Sequence, residues 1–302
     1  MEREDVIRRL VEWAKKQEEI RAMLLTSTLT NPNAPVDIFS DYDVILAVED
    51  IHPFFENDAW LEDFGKVLVY YKDPIQLQGG FESFAYITQY EDGTKIDYTV
   101  LQAGWLPWVT AQPELPPFLD IGYTILFDKD GLSAGLRPPT YTAYIPEPPS
   151  EEEYRRLIYE FFHEATYVAK HLWRDDLIPA KYNLDTMMKF QFLRKMLEWR
   201  MEIDHGWAVK TGAYGKGLKK RLPSDLWTEF EKTYVGAGLE ENWEALFRTI
   251  NLFRRVAIEV GDHLGYAYPH ELDRRAVEYF RKVKKLDRRA KSLDLESNSS
   301  CT

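Results

Sequence analysis

The sequence predicts an α+β chain. A mixed β-sheet domain is expected over residues 1–136, a proline-rich linker over 137–150, an α-helical bundle domain over 151–290 and a disordered tail over 291–302. Three observations carry this reading. The first third of the chain holds short apolar runs bounded by Gly, Pro, Asn and Asp, the punctuation of strands and turns. Arg137 to Ser150 reads RPPTYTAYIPEPPS, where the prolines oppose regular structure. Beyond Ser150 the apolar residues recur at three- and four-residue spacing over long segments. At 302 residues and 45% hydrophobic content the chain is long enough for two cores.

Taken in order, residues 2–18 place Val6, Leu10, Trp13 and Ala14 on one helical face, and AMLL opens the first strand. VILAV, KVLVYY, FESFAYITQY, KIDYTVL and YTILF follow as strands. Glu91-Asp92-Gly93-Thr94 should join FESFAYITQY and KIDYTVL as a hairpin and return Asp97 to the sheet. The helical half contains EEEYRRLIYEFFHEATYVAKHLWR, LDTMMKFQFLRKMLEWRMEI, SDLWTEFEKTYV, LEENWEALFRTINLFRRVAIEVGDHLG and a basic stretch from Arg274 to Lys291. Ser150 stands as the first N-cap, with Glu153 at capping-box distance. The basic stretch is read as the solvated face of a terminal helix. No internal repeat is present.

Composition narrows the function classes. No apolar run approaches 18 residues, and MEREDVIRRLVEWAKKQEE reads as an amphipathic helix and not as a signal peptide, so a cytoplasmic protein without membrane contact is expected. The single cysteine, Cys301, excludes a disulfide framework or a Cys-based zinc site. A formal charge of −12 argues against nucleic-acid binding and suits a cationic small molecule, which an acidic cleft would concentrate.

The stretch from Leu24 to Val48, LLTSTLTNPNAPVDIFSDYDVILAV, carries the chemistry. Residues two apart in a strand share a face, so Asp41 and Asp43 would present two carboxylates about 7 Å apart at Cα. Asp97, a polar point in another strand, could complete a Mg²⁺ site for a nucleoside triphosphate. Thr26-Ser27-Thr28 precedes them, a hydroxyl-rich turn that would open a helix and offer hydroxyls and N–H groups to phosphates. This pattern reads as a nucleotidyltransferase site. The plainer alternative, in which Asp41 and Asp43 merely flank a strand, stays open on spacing alone. A second Asp-x-Asp, Asp128 and Asp130 in FDKDG, has the composition of a turn.

TNPNAPVDIFSDYDVILAVED, KIDYTVL, FDKDG, YVAKHLWRDDL, LRKMLEW and HLGYAYP, in this order and over nearly the whole chain, resemble the bacterial aminoglycoside 6-adenylyltransferases. The resemblance implies a nucleotidyltransferase-fold first domain, a helical second domain, Mg²⁺ and ATP, and AMP transfer to a hydroxyl of streptomycin by a monomer or homodimer. It also implies that Asp41, Asp43 and Asp97 are metal-binding carboxylates. The sequence departs from the family at Ser27-Thr28-Leu29, where Gly-Ser-Arg is usual; Thr28 keeps a hydroxyl, and Leu29 removes a cationic group. Three readings follow: an enzyme with an adapted loop, a nucleotidyltransferase with another acceptor, or a member that has lost catalysis and serves as a small-molecule binding module.

In the helical half, Tyr167, Lys170 and Trp173 share a face and are expected to line a cleft holding nucleotide and acceptor, with Lys170 meeting phosphate. Lys181 and Asp185 stand one turn apart, and Asp185 is the candidate general base, with Glu164 in reserve. His163, His171 and His205 lack a compact zinc motif. Thr211-Gly212-Ala213-Tyr214-Gly215, flanked by Lys210, Lys216, Lys219 and Lys220, lacks P-loop order and reads as a helix connector.

Overall fold

The computed structural model describes residues 3–209 and 212–291, and within it the chain divides into one compact unit up to Tyr144 and a second from Ile145. Lys210, Thr211, Cys301 and nearly all of the predicted tail lie outside the described residues. No described helix is long and apolar enough to cross a membrane.

The first unit opens with α1 (Arg3–Lys16), which buries Val6, Leu10 and Ala14 as its spacing predicts. The strands are β1 (Ile20–Thr26), β2 (Tyr42–Val48), β3 (Val67–Lys72), β4 (Gln76–Gln78), β5 (Phe81–Tyr90), β6 (Lys95–Gln102) and β7 (Tyr123–Asp128). Among the described residues they form one sheet in the order β3-β5-β6-β2-β1-β7, with β4 paired to β5. Only the β2–β6 pairing is parallel, which makes the sheet mixed. β4 is the strand that periodicity missed, three residues turned back through Gly79 and Gly80, both at positive φ.

β1 and β2 are buried on both faces, and their alternation shows it. Met23, Leu25, Val44, Leu46 and Val48 join the core under α1, whereas Ala22, Leu24, Ile45 and Ala47 join the opposite core. Two covered faces explain why VILAV reads as a continuous apolar run and not an alternating one. The second core is closed by Trp105 and Leu106 of α3 (Trp105–Thr110) and by Leu119 of α4 (Pro117–Asp120). A short α2 (His52–Glu56) lies between β2 and β3. The predicted β5–β6 hairpin forms, with Gln89 opposite Lys95, Gly93 at φ 90° and Tyr90 N donating to Thr94 O at 2.8 Å. Asp128 anchors the turn after β7, accepting from Ser133 N at 2.8 Å and Ser133 Oγ at 2.6 Å, while Asp130 pairs with Arg21. Residues 137–150 carry neither helix nor strand; the Asp120 carboxylate holds part of them through Thr140 N and Ala143 N.

The second unit is helical: α5 (Glu151–Arg174), α6 (Leu177–Lys181), a π-helical stretch Tyr182–Leu193, α7 (Arg194–Asp204), α8 (Leu218–Arg221), α9 (Ser224–Glu231), α10 (Leu239–Leu264) and α11 (His270–Lys285). The Ser150–Glu153 capping box forms in both directions, satisfying orphan N–H groups that open α5. Phe161 of α5 stacks on Phe253 of α10 at 3.7 Å, and Tyr154 Oη donates to Ala257 O at 2.7 Å. The segment read as one regular helix, LDTMMKFQFLRKMLEWRMEI, is instead π-helical up to Leu193 and α-helical only from Arg194. Widened turns of this kind are frequent at functional sites and invisible to a 3.6-residue pattern.

Candidate active site

Asp43 and Asp97 lie directly opposite each other on the parallel pair β2–β6, near the start of both strands. Register partners on neighbouring strands are about 5 Å apart with side chains on one face. Asp41 stands just before β2, and its carboxylate is drawn to Lys95. Lys95 and Asp97 are two apart on β6 and therefore share a face. The Lys95 ammonium donates to Asp41 Oδ2 at 2.9 Å and to Asp97 Oδ1 and Oδ2 at 2.9 and 2.7 Å.

The electrostatics follow from this placement. Burial pushes Asp43 up to about 6, Asp97 adds repulsion, and the Ser27 hydroxyl and Lys95 pull only partly the other way. Burial also raises Asp97, against the pull of Lys95. For Lys95, burial works against the charge, but its bonds to Asp97 and Asp41 outweigh that and raise its pKa. Two carboxylates thus share one ammonium, and the most desolvated of the three, Asp43, has no direct cationic partner among the described residues. Hard carboxylate oxygens with an uncompensated charge are a donor set that fits a divalent cation. Among the described residues no three His, Cys, Asp or Glu side chains yet converge as a metal group. Lys95 spans the gap between Asp41 and Asp97.

The turn before these carboxylates differs from expectation. Ser27–Thr30 is a single 3₁₀ turn and not the start of a long helix. Ser27 adopts φ 66°, its N–H donates to Gly122 O at 3.0 Å, and its hydroxyl stands near enough to Asp43 to favour that carboxylate's charge. Its N–H is therefore already engaged within the protein. Gly122 itself runs at φ 134° so close to Thr30 that a Cβ would stand 2.8 Å from Thr30 Oγ1, so a side chain here would disturb the turn. Leu29 packs against the core under α1. The Thr28 hydroxyl has no hydrogen-bond partner among the described residues. Beside the turn, Ile38 and Phe39 are 88% and 81% exposed, in a loop pinned by the Asp37 carboxylate accepting from Phe39 N at 2.9 Å.

A sequence model of the streptomycin adenylyltransferase family matches residues 1–283. The chain belongs to this family. Family membership makes it a nucleotidyltransferase, an enzyme of adenylyl transfer. It is similar to a protein named aminoglycoside 6-adenylyltransferase from Bacillus subtilis (strain 168), at 31% identity over 86% of this chain and 90% of the relative. A protein of the same name from Campylobacter jejuni is 29% identical over 86% of this chain and 88% of its own. The crystal structure of an aminoglycoside 6-adenyltransferase from Bacillus subtilis aligns with 94% of this chain and 99% of its own, at 26% identity and a TM-score of 0.46.

The remaining candidate residues of this adenylyltransferase lie in the helical unit. Asp185 is engaged on both oxygens: Lys181 Nζ reaches Oδ2 at 2.6 Å and Lys189 Nζ reaches Oδ1 at 2.6 Å. Lys189 is fully buried, donates also to Thr233 O at 2.6 Å, and has its pKa lowered by burial despite Asp185. A carboxylate so committed serves a buried lysine before it serves a substrate proton. Glu164 is freer, its carboxylate lying 3.9 Å from the His163 Nδ1. Lys170 lies over the Tyr167 ring at 4.2 Å and lines a groove of about 450 Å³ with Trp173, Arg174 and Tyr279. His171 Nδ1 lies 3.5 Å from Asp176, and His205 bonds to Met201 O. Lys95 was the residue missed, although its two-residue offset from Asp97 already placed it on the same face.

Proposed function

We propose that the chain transfers AMP from Mg²⁺-ATP to a hydroxyl of an aminoglycoside, with streptomycin the first acceptor to test. The observation that carries this is the in-register pair Asp43–Asp97, with Asp41 beside it, in a chain whose relatives are named aminoglycoside 6-adenylyltransferases. Asp41, Asp43 and Asp97 would hold the cation, which when bound supplies positive charge to the phosphates. The unpartnered Thr28 hydroxyl would donate to a phosphate oxygen, and Ser27 would keep Asp43 ionised and oriented. Lys170 is assigned to nucleotide phosphate. Ile38 and Phe39, just ahead of Asp41 in the chain, offer an apolar face to a ring of the bound substrate. The hydroxyl proton needs an acceptor, and Glu164 fits that role better than Asp185, whose oxygens are both taken. The net charge of −12 favours a polycationic acceptor.

One observation favours a second reading, a binding module without turnover: the Ser27 N–H is spent inside the protein, on Gly122 O. The test is incubation with ATP, Mg²⁺ and streptomycin, followed by pyrophosphate release and mass spectrometry of the antibiotic. Adenylylated streptomycin that disappears in Asp43→Asn supports transfer. Absence of pyrophosphate release across a panel of aminoglycosides that bind the folded protein would establish the binding module.

A further inference from the structure

Lys95 has no part in the site as read from its carboxylates, yet it is the best-bonded group there. Its ammonium spends three hydrogen bonds on Asp41 and Asp97. It stands among the same oxygens that a divalent ion would take, and an ammonium and a dication cannot occupy one set of carboxylates without strong repulsion. It is also able to leave: the side chain is 30% exposed, and a lysine carries its charge on a flexible four-carbon stem. The strand geometry that delivers it is rigid, because Lys95 and Asp97 share a face of β6 and Gln89 of β5 fixes its register.

We infer that Lys95 is a resident cation of the carboxylate site, holding Asp41 and Asp97 together until a divalent ion displaces it, and then turning its ammonium to the phosphates of the nucleotide. This rests on the metal-dependent reading above and adds to it a direction of coupling. Metal entry frees a phosphate-binding cation, so metal and nucleotide should each strengthen the other's binding. Without Lys95 the metal should bind more tightly on its own and the nucleotide more weakly.

The test is Mn²⁺ binding to the full chain, read from the electron paramagnetic resonance signal of free Mn²⁺, with and without α,β-methylene-ATP. Lys95→Met should bind Mn²⁺ alone about tenfold more tightly than the wild type, and Lys95→Arg should stay near it. In the presence of Mn²⁺, Lys95→Met should hold the nucleotide analogue about tenfold more weakly. In the unmodified protein, saturating Mn²⁺ should speed acylation of Lys95 Nζ, read by peptide mass spectrometry, which needs no variant to fold. Mn²⁺ affinity in Lys95→Met equal to or below wild type, with Asp43→Asn still abolishing binding, would overturn the role of Lys95 and leave the metal site standing. An acylation rate unmoved by bound Mn²⁺ would overturn it too. Equal Mn²⁺ binding by the wild type and Asp43→Asn would instead remove the metal reading itself.

Discussion

Asp43→Asn should make the metal-free protein more stable while removing its activity, and the size of the gain should depend on pH. In the unfolded chain Asp43 titrates near 3.8, whereas in the fold it titrates at about 6, because burial and Asp97 disfavour its charge. Well below pH 3.8 both states hold the proton and the site costs nothing. Between the two values the folded state keeps a proton that the unfolded state releases, so stability falls as pH rises. Above pH 6 the cost is complete, at about 3 kcal/mol, an upper figure given that some water reaches the group. Asparagine has no charge to bury and can still accept from Ser27. In chelator at pH 7.5, urea denaturation followed by circular dichroism should show the variant more stable by up to about 3 kcal/mol, and about 6 to 12 °C in the melting of the first unit. At pH 4 the gain should shrink to about 0.5 kcal/mol. Mg²⁺ should recover stability in the wild type at pH 7.5, less at pH 5, and not in the variant. A variant equally or less stable at pH 7.5, or a gain that does not shrink with acid, would refute the claim that Asp43 is held at a cost.

Other variants divide the site by role. Asp97→Asn should lower the rate of AMP transfer by about 10²-fold or more with an unchanged circular dichroism spectrum; transfer near the wild-type rate would take Asp97 out of the site. Ser27→Ala removes the one hydroxyl that lowers the Asp43 pKa, so the ¹³C titration midpoint of Asp43 should move above its wild-type value, and an unmoved midpoint would break the Ser27–Asp43 link. Asp185→Asn should destabilise the protein by about 2–3 kcal/mol by stranding buried Lys189, while kcat changes by less than about tenfold. A large fall in kcat at unchanged stability would restore Asp185 as the base. Phe39→Ala should leave stability within about 0.5 kcal/mol and raise the KM of whichever substrate stacks there; unchanged KM for both would remove the platform.

Where a segment has one local rule to obey, the sequence reading and the structure coincide. The β5–β6 hairpin needed only Gly93 at positive φ between two alternating runs. The opening of α5 needed only Ser150 and Glu153. The failures share a different cause. β4 is too short for a period-two pattern to register. The π-helical stretch from Tyr182 to Leu193 has apolar residues enough for an α-helix, and local periodicity carries neither its wider turns nor the contacts made along it, Asp185 between Lys181 and Lys189 and Lys189 on Thr233 O of a different segment.

The same distinction runs through the site. Asp43 and Asp97 could be singled out as polar interruptions of apolar strands, but their meeting depends on β2 and β6 being parallel neighbours in a particular register. A one-residue slip in that pairing would turn Asp97 to the opposite face and put it against the core under α1. Asp41 was read as lying on the strand with Asp43, and its position outside β2 sends it to Lys95. Ser27 was read as a phosphate ligand because a hydroxyl in a turn before two carboxylates suits phosphate. Only the fold shows that Gly122 O claims its N–H and that its hydroxyl stands near Asp43. In both places the fold adds a bond inside the protein, Lys95 to Asp41 and Ser27 N to Gly122 O, at a group the sequence had left free for a ligand. The site before substrate arrives is therefore internally satisfied at Asp41, Asp97 and Ser27, and frustrated at Asp43. An ion that answers the charge on Asp43 must first unseat Lys95, so that binding begins by breaking bonds the fold has already made.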